Sequence, residues 1–298
     1  MTESQSIKNL EAEQDDDQGN MDTNAIMQDS FPQTAFNATG DESVIDIRNQ
    51  DIYNWLDQIA PFEKQESWDN SGLLIGSPED PVSGILVTLD ITQRAIEKAH
   101  QNNCNLIISH HPVIFSALKK LDSYAMPYQL IKHGISAICC HTNLDIAILN
   151  DLLANKLCSV LDAESEILPL MPDGLGRVVY LKDILKIDDI ARQAKQALGC
   201  EVIRYSANCK KLIRRIGICS GSGASLLEDI VMTCDCLLTG DVKHDRWYKA
   251  KELDFALIDC GHYHTEIIMV DYLAQQLREH CPDLPVIAHI EENPVNYV

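Results

Sequence analysis

The segment Leu106-Ile-Ile-Ser-His110-His111-Pro112 joins a short aliphatic run directly to two adjacent histidines. An uncharged, non-alternating run of this length is typical of a strand buried on both faces of a parallel sheet. Two further aliphatic runs, near 137–140 and 257–260, lead in the same way into polar residues: His141 and Asp145 after the first, and His262, His264 and Glu266 after the second. Because ligands of open parallel sheets bind just beyond the carboxyl ends of the strands, we expect these distant residues to meet in space.

Outward from this segment, aliphatic runs alternate with stretches of helical periodicity. The pattern predicts strands at 84–89, 105–109 and 135–140 and helices at 46–59 and 92–102. Thr92 is expected to cap the N-terminus of the second helix. This alternation favours an α/β fold whose mostly parallel or mixed sheets are flanked by helices.

A second α/β pattern follows a stretch rich in proline and glycine at 169–176. The predicted strands are 177–181, 201–205, 213–219, 236–239 and 255–259, and the predicted helices are 188–198, 225–232 and 265–280. We therefore expect two α/β domains.

Residues 1–44 form a segment with ten acidic residues and one basic residue. The segment lacks sustained apolar periodicity, which predicts a disordered acidic tail. The whole chain of 298 residues carries a formal charge of −21. Non-specific binding to nucleic acid or to an anionic membrane is therefore not expected.

The sequence also bears on the compartment. No apolar run approaches the roughly 18 residues of a membrane span, and the N-terminus lacks the apolar core of a secretory signal. The eleven cysteines are scattered and form no C-x-x-C pair, which favours reduced thiols over a disulfide framework. We expect a cytoplasmic protein.

The polar strand ends carry residue types that bind divalent transition metals. Imidazole suits Zn, Fe, Mn or Ni, and a carboxylate can bridge two ions. His110 and His111 project in different directions from an extended backbone, so each can serve a different ion. His262 and Glu266 stand four residues apart at the start of a helix, where one turn brings them together. Asp145 follows His141 by four residues and can reach the same crevice.

Two ions held in this way would activate water and polarise a substrate oxygen. Spacing alone neither selects the metal nor separates ligands from outer partners such as His141 and His264. Two residues that follow the strand at 236–239, Asp241 and His244, are further candidates: one of them adds to the crevice, or both serve only structural roles.

Two glycine-containing segments carry weaker signals. Ser220-Gly-Ser-Gly223, between a strand and a helix, is either an ordinary turn or a cradle whose backbone N–H groups bind phosphate. Residues 68–76 read as a turn that enters a strand.

Six motifs together resemble one known family. They are Trp68-Asp-Asn-Ser-Gly, Thr88-Leu-Asp-Ile-Thr92, Ser109-His-His-Pro, His141-Thr-Asn-Leu-Asp145, Thr239-Gly-Asp241 and Gly261-His-Tyr-His-Thr-Glu266. Their order is similar to that in the YbgI-like, or Nif3-like, family of dinuclear metal proteins, whose members are named GTP cyclohydrolase I type 2 homologues. The resemblance covers residues 46–298, and the spacing between His141 and His262 corresponds to the compact form of the family.

The resemblance implies a Nif3-like fold of two α/β domains, in which residues 45–165 together with 255–298 form the metal-binding domain and residues 166–254 form the second domain. It also implies assembly as a toroidal homohexamer and two divalent ions per subunit. It implies that His111 and Asp145 hold one ion, that His110 and His262 hold the other, and that Glu266 bridges them.

The implied activity is metal-dependent hydrolysis of GTP to dihydroneopterin triphosphate and formate. The sequence shows no obvious clamp of lysines and arginines for a triphosphate. Whether the protein is an enzyme therefore stays open at this point. The alternatives are a metal-dependent phosphoesterase acting on a small nucleotide, and a metal-binding or regulatory scaffold without catalytic activity.

Overall fold

The computed structural model describes residues 46–207 and 212–298, and the predicted tail at 1–44 lies outside the described residues. The described chain forms two β-sheets flanked by helices. This architecture confirms the predicted α/β class with mixed sheets. No helix in the described part of the chain has the length and hydrophobicity needed to cross a bilayer.

The first sheet is parallel except at one edge. Its strands are β1 (Gly72–Ile75), β2 (Ile85–Thr88), β3 (Leu106–Ser109), β4 (Ser136–Cys139) and β11 (Val286–His289). They lie in the order β1-β4-β3-β2-β11, and only β1 runs antiparallel to its neighbour. The central strands are aliphatic and buried along their whole length, as the uninterrupted apolar runs predict.

The second sheet is mixed. Its strands are β5 (Ala163–Pro169), β6 (Arg177–Lys186), β7 (Arg204–Tyr205), β8 (Leu212–Ile218), β9 (Cys236–Thr239) and β10 (Ala256–Asp259), in the order β5-β6-β8-β9-β10-β7. Strands β8, β9 and β10 are parallel, β6 and β7 run antiparallel to them, and β5 is antiparallel to β6. The domain division implied by the resemblance groups β10 with the first domain, but the backbone of β10 pairs with β9, which places this strand in the second sheet. The domain boundaries themselves stay a prediction.

Ten α-helical segments connect and cover the sheets within the described residues. They are α1 (Asn49–Ile59), α2 (Gln93–Gln101), α3 (Met126–His133), α4 (Thr142–Leu144), α5 (Asn150–Leu161), α6 (Ile187–Leu198), α7 (Leu227–Ile230), α8 (His244–Glu252), α9 (His262–Glu266) and α10 (Ile268–His280). A π-helical turn at Asp145–Leu149 joins α4 to α5, and short 3-10 turns lie at Phe62–Lys64 and Gly223–Leu226.

The helix boundaries follow local chemistry. Thr92 Oγ1 accepts a hydrogen bond from the backbone N–H of Ala95 (3.1 Å), which confirms the predicted cap of α2. Gly199 ends α6 in the left-handed conformation, at φ 67°. The helix predicted at 265–280 begins earlier and divides into α9 and α10, whereas the helix predicted at 225–232 is shortened to a 3-10 turn followed by α7.

The strand order brings the carboxyl ends of both sheets to one place. The backbone leaves β3 into His110 and leaves β4 towards Asp145, both from the first sheet. It leaves β8 into Ser220 and leaves β10 towards His262, both from the second sheet. The Ser220 hydroxyl lies 2.5 Å from Asp145 Oδ1, so residues of the two sheets are in direct contact at this point.

Candidate metal centre

The two histidines that follow β3 are oriented by hydrogen bonds at Nδ1. His110 Nδ1 lies 2.9 Å from the carbonyl oxygen of Cys140, and the side chain is completely buried. A carbonyl oxygen only accepts, so Nδ1 carries the proton and Nε2 of neutral His110 offers its lone pair. His111 Nδ1 lies 2.8 Å from Asp90 Oδ1, which likewise leaves Nε2 to face the cluster. Such outer hydrogen bonds are what metal-binding histidines generally make.

His262 at the start of α9 shows the same arrangement. Its Nδ1 lies 3.0 Å from Asp241 Oδ2, and its Nε2 lies 3.2 Å from Nε2 of His111. Asp241 has a positive φ of 49° in the turn after β9, a conformation that aspartate tolerates better than most residues. Asp241 therefore reaches the cluster through its contact with His262.

Glu266 lies between the imidazoles and is buried. Its Oε2 is 3.0 Å from Nε2 of both His111 and His262, and its Oε1 is 3.6 Å from Nε2 of His110. Asp145 Oδ2 lies 3.8 Å from the same nitrogen of His110. The Glu266 carboxylate therefore faces His111 and His262 with one oxygen and His110 with the other, as a bridging ligand would.

The side chains form overlapping groups whose potential ligand atoms lie within 4.8 Å of one another. One group contains His110, Asp145 and Glu266, and a second contains His111, His262 and Glu266. The resemblance implied a different grouping, with Asp145 beside His111 and His262 beside His110. In the structure the distances join Asp145 to His110 and His262 to His111.

The centre of the cluster leaves buried polar atoms unsatisfied. Among the described residues, His110 Nε2 and Glu266 Oε2 are buried and have no hydrogen-bond partner of acceptable geometry. A buried polar atom without a partner costs free energy. Such atoms therefore point to a position where a ligand, an ion or a water molecule binds. The donor set of imidazole and carboxylate fits a divalent transition metal.

The local charge favours a cation at this position. Burial opposes protonation of His111, but its contacts with Asp90 and Glu266 raise its pKa to about 10. Burial also opposes protonation of His262, but the contact with the Glu266 carboxylate outweighs burial and raises the pKa of His262 to about 9. Burial alone would raise the pKa of Glu266, but the surrounding histidines hold it well below its usual range. Any positive charge, whether a proton or a metal ion, is stabilised here.

His141 joins the cluster, and His264 does not. His141 forms a third group with His110 and His111, and its Nδ1 lies 2.8 Å from Asp69 Oδ1. The hydroxyl and backbone N–H of Thr142 also donate to Asp69, at 2.5 and 3.0 Å. Burial would raise the pKa of Asp69, but these contacts with His141 and Thr142 lower it below its usual range. The structure directs His264 instead towards Glu201 Oε2, at 2.9 Å.

The sequence pattern did not assign the roles of three residues that orient the cluster. Asp90 orients His111, Asp69 orients His141, and Ser220 contacts Asp145. Asp69 and Asp90 lie in the motifs at 68–72 and 88–92, each beside a predicted strand. This position is the sequence signal that could have identified them as partners of the histidines.

The Ser220-Gly-Ser-Gly223 loop packs against the cluster and does not form a phosphate cradle. The backbone N–H groups of Ser220, Gly221 and Gly223 already donate to side chains of the protein, at 2.8 to 3.0 Å. The hypothesis of a phosphate site at these backbone groups is therefore wrong, because three of its donors are occupied.

Replacement of Gly221 by Ala tests the close approach of this loop. A Cβ at Gly221 would lie 2.2 Å from Glu266 Oε1, and the backbone there has φ +58°. Gly134→Ala is the matched control, because Gly134 has φ +63° and open space around the added atom. We expect Gly134→Ala to cost about 1–2 kcal/mol of unfolding free energy, and Gly221→Ala to cost about 1–3 kcal/mol more because it overpacks the site. Urea unfolding of both variants measures the difference, and equal costs would contradict the close approach.

A cavity of about 450 Å³ lies beside Asp241, the partner of His262. It is lined by Ser222, Ala224, Ser225, Asp241, Lys243, Asp245 and Arg246. This volume suits a small molecule. The two cationic and two anionic side chains balance, and Arg246 is paired with Asp245 and Glu228, so the cavity is not a strong anion site.

The fold and the cluster define a two-sheet α/β protein with a candidate metal centre where the strands of both sheets end. The family model described as Duf34/NIF3 (NGG1p interacting factor 3) matches residues 47–294, and the chain belongs to this family. The resemblance inferred from the motifs is thereby confirmed.

Named relatives agree with this assignment. A Campylobacter jejuni protein named GTP cyclohydrolase 1 type 2 homolog is 35% identical over 255 residues, which cover 84% of this chain and 100% of the relative. A Helicobacter pylori protein named GTP cyclohydrolase 1 type 2 is 36% identical, with 71% of this chain and 84% of the relative covered. The crystal structure of Staphylococcus aureus protein SA1388 matches with a TM-score of 0.75 at 26% identity, covering 85% of this chain and 100% of that one.

Proposed function

We propose that this protein is a hydrolase that depends on two divalent metal ions and opens the guanine ring of GTP with release of formate. The observation that carries the proposal is the convergence of unsatisfied buried ligand atoms, His110 Nε2 and Glu266 Oε2, with the inward-facing nitrogens of His111 and His262. The names of the Campylobacter and Helicobacter relatives support GTP as the substrate.

The proposed ligands are His110, His111, Asp145, His262 and Glu266. His110 and Asp145 would hold one ion, His111 and His262 the other, and Glu266 would contact both. Bound ions of this kind supply Lewis acidity, which polarises a substrate and makes water a nucleophile near neutral pH. The donor atoms are compatible with Zn, Fe, Mn or Ni.

The side chains around these ligands orient them and control access. Asp90 and Asp241 accept at Nδ1 of His111 and His262, which directs both Nε2 atoms inward. Asp69 holds the His141 ring in the same way, through a contact with Nδ1. The side chains of His111 and His262 are 26% and 32% exposed, whereas that of His110 is completely buried, so a substrate would approach on the side of His111 and His262.

The proposal also covers assembly and location. From the resemblance we propose a cytoplasmic homohexamer with a ring shape that acts on a small molecule, and light scattering of the purified chain measures the mass that tests the assembly.

Formate release by protein reconstituted with each candidate metal tests the reaction. We expect formate from GTP with the wild type and a loss of more than about 100-fold in His111→Ala, which exceeds the usual cost of losing an outer partner of a metal. His264→Ala is the control, because His264 is a histidine that lies outside the cluster. Bound metal per chain, measured in parallel, should fall only in His111→Ala.

The products distinguish the alternatives. Phosphate release from generic esters without formate would replace the proposed reaction with a phosphoesterase. If metal is retained and neither product forms, the metal-binding scaffold replaces the enzyme. Unchanged metal content in His111→Ala would contradict the proposed ligand set.

A further inference from the structure

Two large aromatic side chains lie exposed at the edge of the candidate metal centre. Trp68 is 56% exposed and Phe115 is 53% exposed. Aromatic rings of this size usually stabilise a protein most when they are buried. Their ring centroids are 6.0 Å apart, and each ring lies edge-on to His141, at 6.0 and 6.5 Å. Since His141 belongs to the metal-ligand cluster, this aromatic pair adjoins the centre directly.

The residues next to these rings are held by contacts that do not involve the rings. Trp68 precedes Asp69, which is held by His141 and Thr142. The segment that carries Phe115 is attached to the same region, because Asn70 Nδ2 donates to the carbonyl oxygen of Ile114 at 2.6 Å. The backbone therefore presents two exposed apolar faces without relying on their burial, as expected of a preformed binding surface.

We propose that Trp68 and Phe115 form a stacking subsite that binds the planar heterocyclic base of a nucleotide next to the metal centre. This inference rests on the proposed function and adds the part of the substrate that is recognised. Every nucleobase has a flat π-face that stacks on aromatic side chains, and exposed rings beside a polar reaction centre offer such a surface. The location beside His141 would place the base, which is the part hydrolysed in the proposed reaction, next to the ions.

The experiment compares a ligand that carries a base with one that lacks it. Calorimetry measures the affinity of metal-loaded protein for GTP and for inorganic tripolyphosphate, which shares the phosphate chain but has no ring. We expect the wild type to bind GTP more tightly than tripolyphosphate. Trp68→Ala and Phe115→Ala should each weaken GTP binding by about 5- to 150-fold, the range measured for loss of one stacked base. Neither variant should change the affinity for tripolyphosphate by more than about twofold.

Two further variants separate stacking from general disruption. Trp68→Phe keeps an aromatic ring and should retain most of the GTP affinity. Tyr124→Ala removes another exposed aromatic ring, 87% exposed, that contacts no other ring within the described residues. It should leave the GTP affinity unchanged. Metal content is measured for each variant, so a loss of ions is not mistaken for a loss of stacking.

Three outcomes would overturn the subsite. The wild type could bind GTP no better than tripolyphosphate, Trp68→Ala could weaken both ligands equally, or Trp68→Ala could change the sedimentation of the protein while leaving GTP affinity intact. The last result would assign this surface to contact with a second copy of the chain. Base-dependent GTP binding without formate release would sustain the subsite and reject the proposed reaction. Formate release together with full GTP affinity in Trp68→Ala would sustain the reaction and reject the subsite.

Discussion

Replacement of Glu266 by Gln is expected to prevent binding of the two ions that we propose for the candidate metal centre. Within the described residues, Glu266 belongs both to the group with His110 and Asp145 and to the group with His111 and His262, and its two oxygens face different imidazoles. Glutamine preserves the size of the side chain but removes the negative charge, so each ion loses an anionic ligand. We expect the metal affinity to fall by more than about 100-fold, beyond the usual cost of losing an outer partner.

The control for this variant is Glu201→Gln. Glu201 also contacts a histidine of α9, with its Oε2 2.9 Å from His264 Nε2, but it is exposed and lies outside the cluster. Mass spectrometry of purified protein should show normal metal content in Glu201→Gln and almost none in Glu266→Gln. A ligand at 100 times its dissociation constant contributes about 2.7 kcal/mol of stability. A chelator should therefore lower the melting temperature of the wild type and of Glu201→Gln, and it should leave that of Glu266→Gln unchanged. Full metal content in Glu266→Gln would exclude a shared ligand at this position.

The sequence allowed the candidate residues to be identified, but not their partners. His110 and His262 each follow an aliphatic run, and this local signal is enough to predict that they lie just beyond strand ends. Which strands share a sheet depends on contacts between distant segments, and no local pattern contains that information. One such contact, the pairing with β9, places strand β10 in the second sheet. His262, which follows β10, therefore comes from the second sheet to meet His111, which follows a strand of the first sheet.

The elements that the sequence pattern missed lack a strong local signal for physical reasons. Strand β5 lies at the edge of its sheet, is mostly exposed, and has charged residues where a buried strand would have aliphatic ones. Strand β11 has only four residues and ends at His289. The predicted strands in the centre of each sheet were confirmed because burial on both faces requires an uninterrupted aliphatic sequence. The tail at 1–44 and its predicted disorder lie outside the described residues.

Paired substitutions are expected to show which residues share an ion. In the structure His110 lies beside Asp145, and His111 lies beside His262. If each pair holds one ion, His110→Ala and the double variant His110→Ala/Asp145→Ala should both keep one ion per chain, because the second change removes a ligand of an ion that is already lost. The double variant His110→Ala/His262→Ala should lose both ions, since it removes a ligand from each position.

The grouping implied by the resemblance predicts the opposite result. If His110 and His262 held the same ion, their double variant would keep one ion per chain, and the variant of His110 and Asp145 would lose both. Metal content per chain, measured at one fixed concentration of free metal, therefore distinguishes the groupings without any assay of activity. His264→Ala combined with His110→Ala is the matched control, and it should keep the same metal as His110→Ala alone because His264 contacts Glu201 rather than the cluster.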